Sequence, residues 1–264
     1  MYTFDYQRPA SVADAAAALQ GDARYLAGGQ SLVQAMRLRL SSSERLVDLG
    51  GVAELKGVCL DGGNVIVGAM TTHAAVARSA DVQKACPALA ELAGGIGDQM
   101  VRNQGTIGGS IANSDPAACY PAGLLGLGAT VHTDRRTIAA DDFFVDIYTT
   151  ALQPGELIKA VSFPSIQRAA YLKYKQPASR FALVGVFVSQ GPGGVRVAVT
   201  GAKSTVYRAS ELEQALSKSF TPEAAKAVKL PSTGINSDLH GTAAYRAAMI
   251  SVMAARAVAA ANAR

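Results

Sequence analysis

Histidine and cysteine are scarce in this chain, at three residues each among 264, and tryptophan is absent. Cys59, Cys86 and Cys119 lie far apart, which excludes a disulfide framework and leaves no CxxC or other cluster-ligand spacing. His73, His132 and His240 are equally isolated, so an iron–sulfur cluster or a catalytic metal would have to sit on another chain. Charge is thin as well. Asp, Glu, Lys and Arg make up 17% of the residues, against roughly 25% in an ordinary soluble protein, so part of the surface is expected to meet another subunit. The net charge of +5 is scattered instead of gathered into basic runs or aromatic-interleaved stripes, which speaks against a nucleic-acid partner. The opening MYTFDYQRP has no apolar signal core, and no stretch approaches the roughly 18 apolar residues of a membrane span, so a cytoplasmic protein without a span is predicted.

What is present reads as alternating local signals over more than one ordinary domain length. Tyr2 to Tyr6 is a predicted strand, followed by a helix with Ser11 as N-cap, Asp14 at its third position and Gly21 as terminator. Arg24 to Ala27 is a short strand that runs into Gly28-Gly29-Gln30-Ser31. The next helix carries Leu32, Met36 and Leu40 at helical spacing, and Arg45 to Leu49 returns as a parallel strand. Beyond residue 50, Leu55–Leu60 and Val65–Ala69 flank Asp61-Gly62-Gly63-Asn64 as a β-hairpin. A helix over Asp81 to Gly94, a second glycine-rich loop and a strand at Ala129–Thr133 complete an α+β unit with a mixed sheet. A boundary is predicted at Pro164–Gln167. After it come a hairpin across Gln190–Gly194, a capping box at Ser210 and Glu213, a Thr221-Pro222 helix start and a closing helix over Ala243–Ala261.

Ala27-Gly28-Gly29-Gln30-Ser31-Leu32 sets two residues free to take positive φ just before a helix start, where unpaired N–H groups suit a phosphate. Gly105-Thr106-Ile107-Gly108-Gly109-Ser110 adds a second loop, with a Gly pair that permits close backbone approach and Thr106, Ser110 and Asn113 as polar partners. Neither loop is the G-x-G-x-x-G of a dinucleotide fold, and no G-K-[ST] occurs, so an ordinary NAD site or ATPase is disfavoured. Singly, each Gly pair reads as a tight turn, as Gly50-Gly51, Gly62-Gly63 and Gly193-Gly194 do.

The wording of the loops goes further. AGGQSL at 27–32, VIVGAMTTHA at 65–74, RNQGTIGGSIANSDPAACYPA at 102–122, PGELI at 154–158 and the closing AAYRAAMISVMAARAV resemble the FAD-binding medium subunit of the xanthine oxidase and carbon monoxide dehydrogenase (molybdenum hydroxylase) family. The resemblance implies an α+β fold: a two-part FAD-binding domain of the vanillyl-alcohol-oxidase (PCMH) type over residues 1–165, with parts of about 1–52 and 53–165, and a small C-terminal α+β domain over 166–264. It implies FAD held by Ala27, Gly28, Gly29, Gln30, Ser31 and Leu32 on the first loop, and by Thr106, Gly108, Gly109, Ser110 and Asn113 on the second. Thr72 would approach the flavin, Ile96 would cover the ring, Leu157 would offer a backbone contact and Lys175 would lie at the flavin side. Cys119 stands where the family usually has an Asp that contacts the cofactor; a thiol offers only a weak donor there. Phe181 stands where some relatives place a Tyr against the ring.

By residue type alone, Lys175 reads as a solvated strand lysine, His73 as a loop or core histidine, Cys119 as a small buried hydrophobe and Ile96 as ordinary core. By resemblance, electrons would enter from [2Fe–2S] clusters on a small partner subunit, after oxidation of substrate at the molybdenum cofactor of a large one, and no residue of this chain would be catalytic. The alternatives are a self-sufficient flavin oxidase of the same fold and a non-enzymatic nucleotide-binding module.

Overall fold

Ser11 caps the first helix as its position predicts: in the computed structural model, which describes residues 1–264, its hydroxyl accepts the Asp14 N–H at 3.1 Å. That helix, α1 (Val12–Ala18), follows β1 (Asp5–Gln7) and leads to β2 (Ala23–Leu26), α2 (Leu32–Arg37) and β3 (Arg45–Asp48). β3 lies between β1 and β2 and is parallel to both, the arrangement that helical crossovers produce. α2 is shorter than the apolar spacing predicts. Arg39 takes a left-handed backbone with φ of 59°, which stops the helix and leaves Leu40 78% exposed instead of forming a third rung.

Next comes the predicted hairpin of β4 (Val58–Asp61) and β5 (Asn64–Gly68), closed by Gly62 and Gly63 at φ of 54° and 80°, the positive values that a type I′ turn requires. After α3 (His73–Arg78), the helix predicted over Asp81–Gly94 is instead two, α4 (Ala80–Ala85) and α5 (Pro87–Gly94). Ser79 ends α3 and caps α4 through the Val82 N–H, and Pro87, with no N–H to give, opens α5. α6 (Gln99–Gln104), α7 (Ile107–Asn113) and α8 (Tyr120–Leu127) follow, then β6 (Thr130–Thr133), β7 (Thr137–Ala139), α9 (Ala140–Phe143), β8 (Phe144–Asp146), β9 (Thr149–Thr150) and β10 (Ile158–Pro164). β10 returns to the centre of an antiparallel sheet ordered β4-β5-β10-β6-β7. Parallel and antiparallel pairings therefore occupy separate sheets, not the one mixed sheet expected, because two 3₁₀ turns at Leu49–Gly51 and Ala53–Leu55 redirect the chain between them.

A second antiparallel sheet takes up β11 (Ala169–Lys175), β12 (Ala182–Gly191), β13 (Gly194–Thr200) and β14 (Tyr207–Arg208), and α10 (Ser210–Lys218), α11 (Pro222–Ala227) and α12 (Ala243–Asn262) close the chain. Its side chains alternate faces at period two. Tyr171, Phe187 and Ala198 join Leu89, Leu92, Leu124 and Leu127 in a core of 34 buried residues. Val186, Val188, Val197 and Val199 point the other way, into a core of 21 with Ile250, Ala254 and Val258 of α12. Both faces being covered explains why β12 is almost continuously apolar. α8 buries every one of its residues, and at Gly126 even a methyl group would overlap the Phe187 ring.

α12, at 20 residues, is long and apolar enough by length and composition to cross a bilayer, but it is a core helix that buries Ala247, Ile250, Ala254 and Val258 against the sheet. One further expectation needs correction. The Ser210–Glu213 capping box does not form. Glu213 accepts the Val197 N–H at 2.9 Å and forks with Arg208 at 2.8 Å, so a strand amide and a guanidinium outcompete the helix end.

Fully buried Thr200 ties this sheet to the preceding half: its hydroxyl lies 2.7 Å from Pro116 O and 2.8 Å from Ala118 O, while the Gly201 N–H donates to Pro116 O at 2.7 Å. Thr200→Val keeps the shape but removes the hydroxyl donor, leaving Pro116 O to the Gly201 N–H and Ala118 O without its side-chain partner, so a loss of about 1–3 kcal/mol is expected. Thermal unfolding checks it; an unchanged Tm refutes the anchoring role.

Candidate cofactor site

A cleft of about 480 Å³ opens between the parallel unit and the segments running from Gly105 to Cys119, with Lys173 and Phe181 at its far end. Such a volume suits a cofactor-sized ligand. Its first wall is the loop joining β2 to α2. The N–H groups of Gly28, Gly29, Gln30 and Ser31 donate to no other group of the chain, and Gly29 alone of the pair takes positive φ, at 71°. Successive free amides before a helix form a concave anion seat.

The second loop is built differently. The His73 N–H donates to Gly105 O at 2.9 Å, Ile107 N–H to Thr71 O at 3.1 Å and Gly108 N–H to Ala69 O at 2.8 Å. Thr106 caps α7, its hydroxyl accepting from the Gly109 N–H, and the Ser110 N–H bonds to Thr106 O. Two of the loop's amides thus hold it to Ala69 and Thr71, and two more close its own helix start on Thr106. What it offers the cleft is shape and side chains: Ser110 and Asn113 line it, and their side chains make no hydrogen bond within the chain. Its glycines serve close approach. A Cβ at Gly108 would fall 2.6 Å from the Ala69 Cβ, one at Gly109 3.0 Å from the Ala27 Cβ, and one at Gly28 would overlap Gln104 O.

Every residue named from the sequence lines this cleft except Thr72 and Lys175. Ala27, Gly28, Gly29, Gln30, Ser31 and Leu32 come from the first loop, Thr106, Gly108, Gly109, Ser110 and Asn113 from the second, and Ile96, Cys119 and Leu157 from around them. Thr72 caps α3 through the Ala75 N–H and faces a smaller adjoining hollow behind Gly28 and Gly29. Lys175 is exposed. A register shift between Tyr174 and Lys175 turns it away, and Lys173 reaches the cleft instead, donating to Cys119 Sγ at 3.3 Å. Cys119, 5% exposed, therefore has a cation beside it at the cleft wall. Sequence reading missed His73, Asp115, Glu156, Lys173 and Arg180 as lining residues; all but Lys173 and Arg180 lie inside the quoted motifs, where their presence was the available signal.

Burial pushes the Asp115 carboxyl up, because no cation faces it, while its Oδ1 accepts the Ala117 N–H at 2.8 Å. Glu156 is held down at about 2 by the Arg136 fork, with Thr133 and the Gln153 N–H adding bonds. Burial and the nearby Arg102 guanidinium push His73 down to about 4, so it is neutral at pH 7. Free amides on the first loop, polar side chains from the second and apolar Ile96, Leu157 and Phe181 among the lining residues fit a cofactor with both a phosphate-bearing and a flat aromatic part.

These features define a nucleotide-cofactor cleft, and comparison with known proteins places it. A family described as "FAD binding domain in molybdopterin dehydrogenase" matches residues 2–166. The carbon monoxide dehydrogenase medium chain of Hydrogenophaga pseudoflava is 36% identical, covering 99% of this chain and 98% of its own length. The nicotine 6-hydroxylase medium subunit of Paenarthrobacter nicotinovorans is 35% identical over 98% and 97%. Quinoline 2-oxidoreductase from Pseudomonas putida 86 superposes with a TM-score of 0.90 at 30% identity, over 98% of this chain and 97% of that one. The chain belongs to the FAD-binding domain family of the molybdopterin dehydrogenases, within the xanthine oxidase group, and is an FAD-binding oxidoreductase chain.

Gly28→Ala forces the two loops apart and is expected to lower FAD occupancy several-fold, whereas Gly21→Ala, with nothing within 4 Å of its Cβ despite φ of 64°, should leave FAD bound. Equal flavin content in both variants would refute the close-approach argument. Between pH 6.5 and about 4 the unfolded chain binds more protons at His73 than the folded one, so stability from this residue is complete above 6.5 and falls with pH towards 4. Denaturant titrations at stepped pH should show that loss, and His73→Phe should flatten it.

Proposed function

We propose that this chain is the flavin-carrying electron-transfer subunit of a multi-subunit molybdenum hydroxylase, and the observation that carries the reading is the end-to-end match to medium chains of such enzymes. In it, residues 1–165 bind FAD and residues 166–264 form the C-terminal domain. Partners are a small subunit with [2Fe–2S] clusters and a large one with the molybdenum cofactor. Bound flavin takes electrons singly or in pairs, which joins one-electron cluster donors to a two-electron external acceptor.

The chain's residues set the conditions for that exchange. The amides of Gly28 to Ser31 would bind the pyrophosphate, with Ser110 and Asn113 as side-chain partners across the cleft. Ile96 and Phe181 would flank the ring and exclude water. The Lys173 ammonium, fixed by Cys119, would stabilise negative charge developing on the reduced cofactor. Phe181 is 48% exposed, so the ring end of the cleft opens towards a surface where a partner can approach.

Acid precipitation of the purified chain should release FAD quantitatively, neither FMN nor a flavin peptide. In stopped-flow absorbance with aldehydes and N-heterocycles, the lone chain should not turn over, while adding both partner subunits should reduce its flavin. Turnover by the lone chain at roughly 1 per second or faster would establish a self-sufficient oxidase instead. A purified chain without flavin would favour the nucleotide-binding module.

A further inference from the structure

We propose that His73 is a further cofactor-positioning residue, whose imidazole presents an Nε2–H donor to an oxygen of the pyrophosphate–ribityl segment of FAD beside Gly105 and Thr106. The inference rests on the reading that FAD occupies the cleft.

The imidazole is fixed in place. His73 is 4% exposed, its backbone N–H is held by Gly105 O, and its ring lies 5.3 Å from that of fully buried Tyr120. Gly105 has an ordinary negative φ of −60°, so it is not glycine for backbone freedom. A Cβ there would fall 2.5 Å from His73 Nε2. The second loop therefore rests on this imidazole, at a position that also lines the cleft.

The two ring nitrogens differ. Nδ1 is sealed from solvent and has no partner, one of four such side-chain atoms in the chain, the others being Arg45 Nε, Tyr120 OH and Tyr171 OH. Nε2 also lacks a partner in the chain but is not among the sealed atoms, and it lies at the cleft wall under Gly105. A neutral imidazole carries one N–H and one lone pair. Sealing an orphaned N–H costs more than sealing an orphaned lone pair. The proton accordingly belongs on Nε2, where it points to the cleft. Arg102 on α6 is the charged group facing the ring and Tyr120 on α8 its other titratable neighbour; together with burial, Arg102 keeps the imidazole uncharged at neutral pH.

Beside Gly105 few backbone donors are left, the Thr106 N–H being the one without an acceptor in the chain. The N–H groups of Ile107, Gly108, Gly109 and Ser110 are all committed within the chain. An apolar side chain would fill the space under Gly105 without a stranded nitrogen, so packing alone does not account for histidine.

With His73, His132 and His240 as the only histidines, long-range ¹H–¹⁵N spectra of the full chain can be assigned by single substitution. His73 should show the Nε2–H tautomer, with its Nε2 signal moving when FAD is added to the flavin-free chain. By flavin fluorescence, His73→Phe should raise the Kd for FAD roughly three- to tenfold, as loss of one neutral hydrogen bond does. His73→Gln, which can place an amide donor near Nε2, should recover most of it. An Nδ1–H tautomer, no shift on FAD addition, or an unchanged Kd in His73→Phe would overturn the proposal. If His73→Phe does not fold, the wild-type spectra decide. Failure of the wild-type chain to bind FAD at all would instead sink the reading on which the proposal rests.

Discussion

Residues 104–109 press their backbone against two other stretches of backbone at once, and the site depends on that double contact. On one side lie Ala27 and Gly28, on the other Ala69 to His73. Side chains at Gly28, Gly105 or Gly108 would each prevent it. The first loop keeps four successive free amides while the second commits those of Ile107 to Ser110 within the chain, so two loops of similar glycine content present different groups to the cleft. One presents its backbone. The other shapes the wall and presents side chains.

A second constraint comes from far along the chain. The turn after α7 carries Ser114 in a left-handed conformation with φ of 46°, and its hydroxyl lies 3.3 Å from Asp146 O. Thr200 and Gly201 then take up the carbonyls of Pro116 and Ala118. The strip leading to Cys119 is therefore fixed from both ends, and Lys173 reaches it from the same C-terminal sheet. A residue some eighty positions away thus helps fix the cleft wall at Cys119.

Local signals were readable: Ser11 and Thr221 as caps, the Gly62-Gly63 and Pro192-Gly193 hairpins, and α12 all lie where composition put them. Signals that depend on distant partners were not. Glu213 prefers Val197 and Arg208 to its own helix end, and no spacing rule reveals that. The choice between Lys173 and Lys175 turns on one bulge, invisible in Lys173-Tyr174-Lys175. Both glycine loops line one cleft, as their shared wording implies, but the difference in their hydrogen bonding follows from contacts to residues 69–73, which only the tertiary structure supplies.

The family match ends at residue 166, yet the 34-residue core does not: Ala169, Tyr171, Phe187, Ala198 and Val206 complete it from the far side. The matched domain and the unit of folding therefore have different edges, and the medium-chain relatives match across both. A gene rearrangement joining residues 1–166 to a foreign tail would inherit the flavin loops intact but leave α8, buried on every side, with one face in water. Recombination should accordingly have kept the two segments together, and the C-terminal sheet is better regarded as the missing wall of the flavin domain than as an appendage to it.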